Sequence, residues 1–219
     1  MNKENIKEAL KKLKESSKKR NFNQSIDLII NLRGINIKKN EEQVDLFVTL
    51  HYPKGKITKI CGIVGPELKD NAKEACDLVI TAADFGKYEG NKKELKKLAN
   101  NYDFFVAQAN VMPKIAQIFG KVFGPKQKMP NPKAGCVVPP NANMAALVEK
   151  LQKTVRVKAK TQLGIQCIIG NEAQNEDEVI DNIITTYNAI IHHLPHEESN
   201  IREVLIKLCM SKPIAIKLK

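Results

Sequence analysis

Apolar residues recur at every second position in two segments near the start of the chain, 26–32 and 44–50. A period of two is typical of strands that bury one face. Gly34 and a polar run separate the segments, which predicts that the two strands are antiparallel neighbours. Before them, the apolar positions of residues 4–14 have helical spacing and predict an amphipathic helix.

After residue 56 the pattern changes to alternating strands and helices. Strands are predicted at 57–64, 77–81 and 103–109, and helices at 65–76, 91–101, 113–119 and 143–151. Such alternation is typical of a parallel or mixed sheet that is covered on both faces.

Strand periodicity returns after residue 152, interrupted by one long helix. The predicted strands are a hairpin, 154–160 with 163–170, and a terminal pair, 201–209 with 214–218. Apolar residues at helical spacing over 179–194 predict the helix, with Asn175 or Glu176 as its N-cap and Pro195 at its end.

These elements predict two domains. Residues 1–56 and 153–219 each have too few elements for a core, so together they are predicted to form one split α+β domain. Residues 57–152 are predicted to form an inserted α/β domain of Rossmann-like βαβ units. Because the chain passes twice between the domains, we expect them to be hinged.

Charge narrows the class of partner. The chain has 36 lysines and arginines against 24 acidic residues, a formal net charge of +12, which favours a nucleic acid or another anionic surface. No apolar run approaches the roughly 20 residues of a membrane span, and the N-terminal segment lacks the apolar middle of a signal peptide. The five cysteines are widely spaced and form no CxxC pair, which predicts a reduced, cytoplasmic protein.

The segment 120–140 is the least regular part of the chain. It contains five prolines, and its lysines are Lys121, Lys126, Lys128 and Lys133. Proline fixes φ and removes a donor, so we predict an ordered, rigid loop that is neither a helix nor an interior strand. No acidic residue occurs between Asp103 and Glu149. A stretch with charge of one sign indicates phosphate contacts, although a merely solvated loop can have the same composition.

Two motifs have the composition of a ligand site without its spacing. Gly62 and Gly65 lie between a strand and a helix, as in a phosphate-binding turn, but the third glycine of a dinucleotide fingerprint and the lysine of a P-loop are missing. Residues 192–198 are rich in histidine and glutamate, but Pro195 breaks the helical register that aligns metal ligands. We therefore expect a simple βα turn and a solvated helix end, with no catalytic residue, cofactor or metal.

Pattern alone leaves two other segments undecided. Phe22 lies among cations in KKRNFNQS, residues 18–25. It is either a core residue at a helix-to-strand turn or an exposed aromatic residue that contacts RNA. The segment CMSKP, residues 209–213, separates the last two strands and predicts a bend.

Several segments resemble one known family, in the same order along the chain. GPKQKMPNPKAG, residues 124–135, closely resembles the proline-rich loop of the universal large-subunit ribosomal protein "L one", the protein of the mobile lateral stalk. Residues 20–35, 94–125, 170–183 and 205–213 resemble further parts of the same family. The resemblance covers essentially the whole chain and is closer to archaeal than to eukaryotic members.

The resemblance implies a function and a set of partners. It implies a structural, non-enzymatic protein that binds large-subunit rRNA and works in the cytoplasm on the large ribosomal subunit. It also implies help in moving and releasing deacylated tRNA from the exit site, and repression of translation through a similar site on the protein's own mRNA. We expect a monomer when the protein is free, with no membrane partner.

The resemblance also implies the RNA-binding residues. It places them in the split domain, at Arg20, Asn21, Phe22, Ser25, Asp27, Gln166, Met210, Ser211 and Lys212. In that arrangement Phe22 and Met210 pack on ribose and base faces, while Arg20 contacts phosphate. The four lysines of residues 120–140 form a second, weaker nucleic-acid contact in the inserted domain.

The chain departs from the family at two places. Cys209-Met210-Ser211 stands where the family usually has Thr-Met-Gly, and Lys126-Gln127 where it commonly has Arg-Gly. Glycine at 211 allows a close backbone approach or a positive φ. If the backbone there is strained, Ser211 costs about 1–3 kcal/mol, and Ser211→Gly should then tighten RNA binding. Lysine in place of arginine at 126 weakens any bidentate phosphate contact.

Two other functions fit the residues. One is an α/β nucleotide-binding enzyme that uses the crevice of the inserted domain. The other is a free mRNA-binding repressor without stable residence on the ribosome. Nucleotide binding without RNA binding would indicate the enzyme, and loss from ribosomes in a salt wash would indicate the free repressor.

Overall fold

The computed structural model describes residues 1–39 and 42–218. The chain divides into two compact units. The split unit is Met1–Lys56 with Lys153–Lys219, and the inserted unit is Ile57–Gln152. Each unit is described by itself below.

The elements follow the chain in this order. The helices are α1 (Lys3–Ser16), α2 (Lys69–Ala75), α3 (Phe85–Tyr88), α4 (Lys92–Asn101), α5 (Met112–Phe123), α6 (Met144–Gln152) and α7 (Glu176–Ile191). The strands are β1 (Ser25–Leu32), β2 (Val44–Thr49), β3 (Ile60–Val64), β4 (Leu78–Thr81), β5 (Phe104–Gln108), β6 (Val137–Val138), β7 (Thr154–Ala159), β8 (Gly164–Asn171), β9 (Ile201–Leu208) and β10 (Ile214–Ile216).

The split unit contains a four-stranded antiparallel sheet in the order β10-β9-β1-β8, and a separate antiparallel pair of β2 with β7. The predicted terminal pair, β9 with β10, is confirmed. The predicted pairing of 26–32 with 44–50 is wrong, and so is the hairpin of 154–160 with 163–170. Both early strands take their partners from the chain after the inserted unit. Periodicity indicates which face of a strand is buried, but not which strand lies beside it.

One hydrophobic core stabilises the split unit. Every second residue of β1 is buried from Ile26 to Leu32, as the alternation predicted. The apolar faces of α1 and α7 contact the same sheet. Asn175 caps α7, because its side-chain oxygen accepts a hydrogen bond from Asp177 N at 3.2 Å.

The inserted unit contains a parallel sheet in the order β4-β3-β5-β6, which confirms the predicted βαβ pattern. All five residues of β3 are buried, as expected for a central strand covered on both faces. α2 contacts α6, while α3, α4 and α5 contact one another. Two helix layers of this kind follow from right-handed crossovers in opposite directions along the sheet.

The segment 120–140 is more regular than predicted. Residues 120–123 complete α5, because the buried positions of that helix keep their spacing to its end. Pro132–Ala134 is a 3-10 helix, and Val137–Val138 is a short strand at the edge of the parallel sheet. The prediction that this segment contains no helix is therefore wrong at its start, where one glycine is tolerated inside a well-packed helix.

Candidate nucleic-acid interface

The four-stranded sheet of the split unit has an outward face with both polar and apolar side chains. The strand register places Asp27 between Ile168 and Lys207, and Ile29 opposite Gln166. Asp27 is half-buried and Gln166 is exposed. Side chains two residues apart on a strand share a face, so Asp27 and Gln166 lie on the same side of the sheet.

The segment before β1 decides the question that the sequence left open at Phe22. Residues 20–23 are all exposed, and the Phe22 side chain is 54% exposed. Phe22 is therefore a surface aromatic residue and not part of the core. Arg20 and Asn21 are exposed beside it in the chain.

A turn after β9 lies against the start of β1. Cys209 N donates to the Ser25 carbonyl oxygen at 3.1 Å, and Met210, the next residue, is 61% exposed. Ser211 closes the turn, because its Oγ accepts from Leu208 N at 2.9 Å and its own N donates to Leu208 O at 3.1 Å. We call the side chains of residues 20–25, 27, 166 and 209–212 the strand-end surface.

The backbone strain predicted at Ser211 is absent. Among the described residues other than glycine, only Gln127 and Glu197 have a positive φ. Ser211 therefore lies outside the left-handed region, which removes a positive φ as a reason for expecting tighter binding after Ser211→Gly. Gln127 instead occupies that region, with a φ of 55°, at the position where the family commonly has glycine.

Gln24 is a residue of this surface that the sequence analysis missed. Its side chain is 1% exposed and contacts two other segments. Met210 N donates to Gln24 Oε1 at 3.2 Å, and Gln24 Nε2 donates to Glu172 Oε2 at 3.4 Å. A signal was available, because Gln24 continues the alternation of buried positions on β1 and is the polar member of that row.

Asp27 is the acidic side chain of the strand-end surface, whose cations are Arg20 and Lys212. Burial raises the pKa of its carboxyl group above the usual range, while the Lys207 ammonium on the neighbouring strand acts in the opposite direction. A carboxylate in this position can accept hydrogen bonds from ribose 2′-hydroxyl groups. Arg20 and Lys212 are exposed and can contact phosphate.

The four lysines of residues 120–140 differ in what they contact. Lys128 Nζ donates to two main-chain carbonyl oxygens just after α4, at 2.9 and 3.1 Å. Lys126 Nζ contacts the side-chain oxygen of Asn100 in α4. These two lysines therefore attach the loop to α4, whereas Lys121 and Lys133 are exposed.

A larger set of exposed cations lies on α4 itself. Its apolar residues face the core, which leaves one lysine-rich face in solvent. The lysines of that face are Lys92, Lys93, Lys96 and Lys97. The sequence analysis named only the lysines of residues 120–140 as a second contact and missed this face, although the helical spacing of residues 91–101 indicates it.

The glycine turn after β3 is filled by protein. Gly65 N donates to Gln108 Oε1 at 2.8 Å, and Gln108 Nε2 donates to Glu67 Oε2 at 3.0 Å. A buried amide and a nearby carboxylate thus take the place where a phosphate would bind. In the described ranges, 1–39 and 42–218, no group of three or more His, Cys, Asp or Glu side chains could hold a metal ion. No helix of the described chain is both long enough and apolar enough to cross a membrane.

Comparison with known proteins identifies the family. A model of the ribosomal protein L1p/L10e family matches residues 4–212. The chain belongs to this family. A relative from Methanobrevibacter smithii, named large ribosomal subunit protein uL1, is 39% identical over 210 residues, which are 95% of this chain and 97% of the relative. Its namesake from Pyrococcus abyssi is 38% identical over 213 residues, 97% and 95% of the two chains.

Membership of the L1 family confirms the resemblance, including its archaeal character, because these relatives are archaeal proteins. It also confirms that the chain is a ribosomal protein and not an enzyme, with the cytoplasmic ribosome as its location.

Proposed function

We propose that the strand-end surface binds large-subunit rRNA and thereby makes the protein a structural component of the large ribosomal subunit. The observation that carries this proposal is the placement of Phe22 and Met210. Both are exposed, and the segments that bear them are joined by the hydrogen bond from Cys209 N to Ser25 O at 3.1 Å. Two large apolar side chains exposed on segments that are hydrogen-bonded to each other favour a binding surface.

The surrounding side chains have the chemistry of RNA recognition. Phe22 and Met210 can pack on base and ribose faces, and Arg20 and Lys212 can contact phosphates. Asp27 and its polar neighbours can exchange hydrogen bonds with 2′-hydroxyl groups. Because β1, β8 and the Ser211 turn hold Asp27, Gln166 and Met210, these three groups need little ordering when RNA binds.

A titration with RNA that contains the large-subunit stalk helix tests the proposal. Phe22→Ala or Met210→Ala is expected to weaken binding by about 10- to 100-fold, the range of one lost stacking contact. Leu163→Ala is the control, because Leu163 is also exposed but adjoins the opposite end of β8. Nucleotide binding without RNA binding, or RNA binding insensitive to both substitutions, would contradict the proposal.

The same surface is proposed to bind a similar site on the protein's own mRNA and so to repress translation. One surface cannot hold two RNAs at once, so a fragment of that mRNA should displace the stalk RNA. Simultaneous binding of both fragments would refute the shared site. Co-sedimentation with large subunits after a salt wash separates a resident ribosomal protein from a free repressor.

The inserted unit is proposed to supply a second, weaker contact with exit-site tRNA. The exposed lysines of α4, with Lys121 and Lys133, support this proposal because α4 carries a single acidic residue, Glu94. Lys126 and Lys128 contribute by fixing the loop. A contact made mainly of lysine and phosphate is weak and strongly dependent on salt.

We further propose that the two units are hinged, and that in the connection from the split unit to the inserted unit the hinge lies after Gly55. Within the split unit, Asn171 Nδ2 donates to Gly55 O at 3.4 Å, and Leu50 N donates to Lys153 O at 2.9 Å. Gly55 has a φ of 78°, and a Cβ there would lie 2.6 Å from the Asn171 side chain. Distance distributions between one spin label on each unit test the hinge, and a single narrow distance would contradict it.

A further inference from the structure

Gln24 is buried, and it joins its own segment to the Met210 turn and to Glu172, which follows β8. Its Oε1 accepts from Met210 N at 3.2 Å, and its Nε2 donates to Glu172 Oε2 at 3.4 Å. Its carbonyl oxygen accepts from Glu172 N at 2.9 Å. The two partners are 186 and 148 residues away in sequence.

A glutamine side chain is well matched to these two contacts. Its amide group has an acceptor and a donor in one plane, so it can accept from the Met210 amide and donate to the Glu172 carboxylate together. An ionised glutamate can only accept, and an apolar side chain can do neither. The next buried residues of the same row, Ile26 and Leu28, are apolar.

We propose that Gln24 is a positioning residue for RNA binding, which holds the Met210 turn in register with the Phe22 segment. This inference rests on the proposed rRNA-binding function. Gln24 has no exposed surface for RNA to contact, so it acts through the two exposed residues. If the amide is lost, Met210 loses the side-chain contact that ties its own main chain to residue 24, and RNA must then order more of the turn as it binds.

Gln24→Met separates positioning from a merely structural role. Methionine has a similar length and suits a buried site, and of the two partners left behind Met210 is exposed and Glu172 is half-buried. We therefore expect a thermal unfolding midpoint close to that of the unaltered protein, with affinity for the stalk RNA lowered about tenfold. Equal affinity would overturn the inference. A fall in affinity that only parallels a fall in the midpoint would overturn it as well.

A swap of the hydrogen-bonding pair is the sharper test. Gln24→Glu places a second carboxylate beside Glu172 and is expected to weaken binding by at least tenfold. The double substitution Gln24→Glu with Glu172→Gln restores one donor to the pair at unchanged net charge. It should return the affinity to within about threefold of the original. Failure of the double substitution to restore binding would contradict the positioning role.

Two further variants complete the experiment. Ala173→Glu adds one negative charge at an exposed neighbour of Glu172 and measures the electrostatic part of the Gln24→Glu effect. If it weakens binding as much as Gln24→Glu, the inference fails.

Phe22→Ala tests the proposed function itself, rRNA binding by the strand-end surface. Loss of binding in Phe22→Ala with none in Gln24→Met overturns the inference alone, whereas no loss in Phe22→Ala overturns the proposed surface itself.

Discussion

Phe22 and Met210 expose apolar area in the free protein, and covering that area is a source of RNA affinity that does not depend on charge. Burial of apolar surface is worth about 25 cal/mol per Å² and is little affected by moderate salt. The proposed contacts of Arg20 and Lys212 with phosphate should weaken as salt rises, because counterion release drives such contacts. The salt dependence of RNA binding should therefore distinguish a substitution that removes apolar contact from one that removes a phosphate contact.

Ser211 and Lys212 offer such a comparison within one turn. Ser211→Ala removes the hydroxyl that accepts from Leu208 N, so we expect binding to stalk RNA to weaken by about 2- to 10-fold at an unchanged salt slope. Lys212→Ala should instead lower the slope of log K against log salt by about 1. Binding constants at several salt concentrations test both statements. Tighter binding by Ser211→Gly would show that the hydroxyl is not needed.

Ionisation of Asp27 is expected to destabilise the fold at neutral pH, and this cost should disappear in acid, where the carboxyl group is protonated. Burial raises the pKa of Asp27 in the folded state, with Lys207 acting against the shift. The ionised form therefore costs the fold free energy. That cost is absent below the ordinary Asp pKa of about 4 and is complete above the raised value. Asp27→Asn is expected to raise the urea midpoint at pH 7, with the gain shrinking toward pH 4.

Lys207→Met provides the matching control for Asp27. Without the opposing ammonium, ionised Asp27 is less favourable, so Lys207→Met should lower the urea midpoint at pH 7. The same substitution should have a smaller effect in the Asp27→Asn background. Equal effects of Lys207→Met in both backgrounds would show that the two side chains do not interact.

Among the elements, the loop between α5 and β6 contains one of the two described non-glycine residues with a positive φ. Gln127 has a φ of 55°, a conformation that costs a residue with a Cβ about 1–2 kcal/mol. Gln127→Gly relieves that cost but loses more chain entropy on folding, so we expect a net gain of about 0.5–1 kcal/mol. Lys133→Gly in the same loop has no such strain to relieve and should lose a similar amount. Urea unfolding of both variants tests this, and a loss in both would contradict it.

Periodicity predicted most of the individual helices and strands, but it did not predict which strands pair with each other. The alternation in β1 and the helical spacing in α7 arise from burial, which acts on each element locally. The partners of β1 and β2 depend on strands more than 100 residues away, and a pattern of faces carries no such information. Gln24 was missed for the same reason, because its side-chain partners, Met210 and Glu172, follow β9 and β8.

At the scale of the whole molecule, the two units differ in which side chains surround their positive charges. In the split unit it accompanies apolar side chains and hydrogen-bonding groups, whereas on α4 it forms a plain row of lysines. The first arrangement favours recognition of one RNA shape, and the second favours phosphate contacts without regard to sequence. The two contacts should therefore respond independently to substitution.

Replacing lysines of α4 tests that independence. The triple substitution of Lys93, Lys96 and Lys97 by glutamine is expected to weaken tRNA binding by roughly tenfold at 100 mM salt. Affinity for the stalk RNA should change by less than about twofold. Lys69→Gln with Lys73→Gln is the control, since these exposed lysines lie on α2, in the other helix layer. An equal loss of tRNA binding in the control would show that only net charge matters.

The strand order of the split unit also has a consequence for the order of events during synthesis. β1 emerges early, but its two neighbours, β8 and β9, follow the entire inserted unit. The inserted unit is one continuous stretch of chain, so it can fold while both edges of β1 are still unpaired. The turn that carries Met210 is made later still. Because the proposed RNA-binding surface includes that turn, we expect a nascent chain to bind RNA only after translation has passed it.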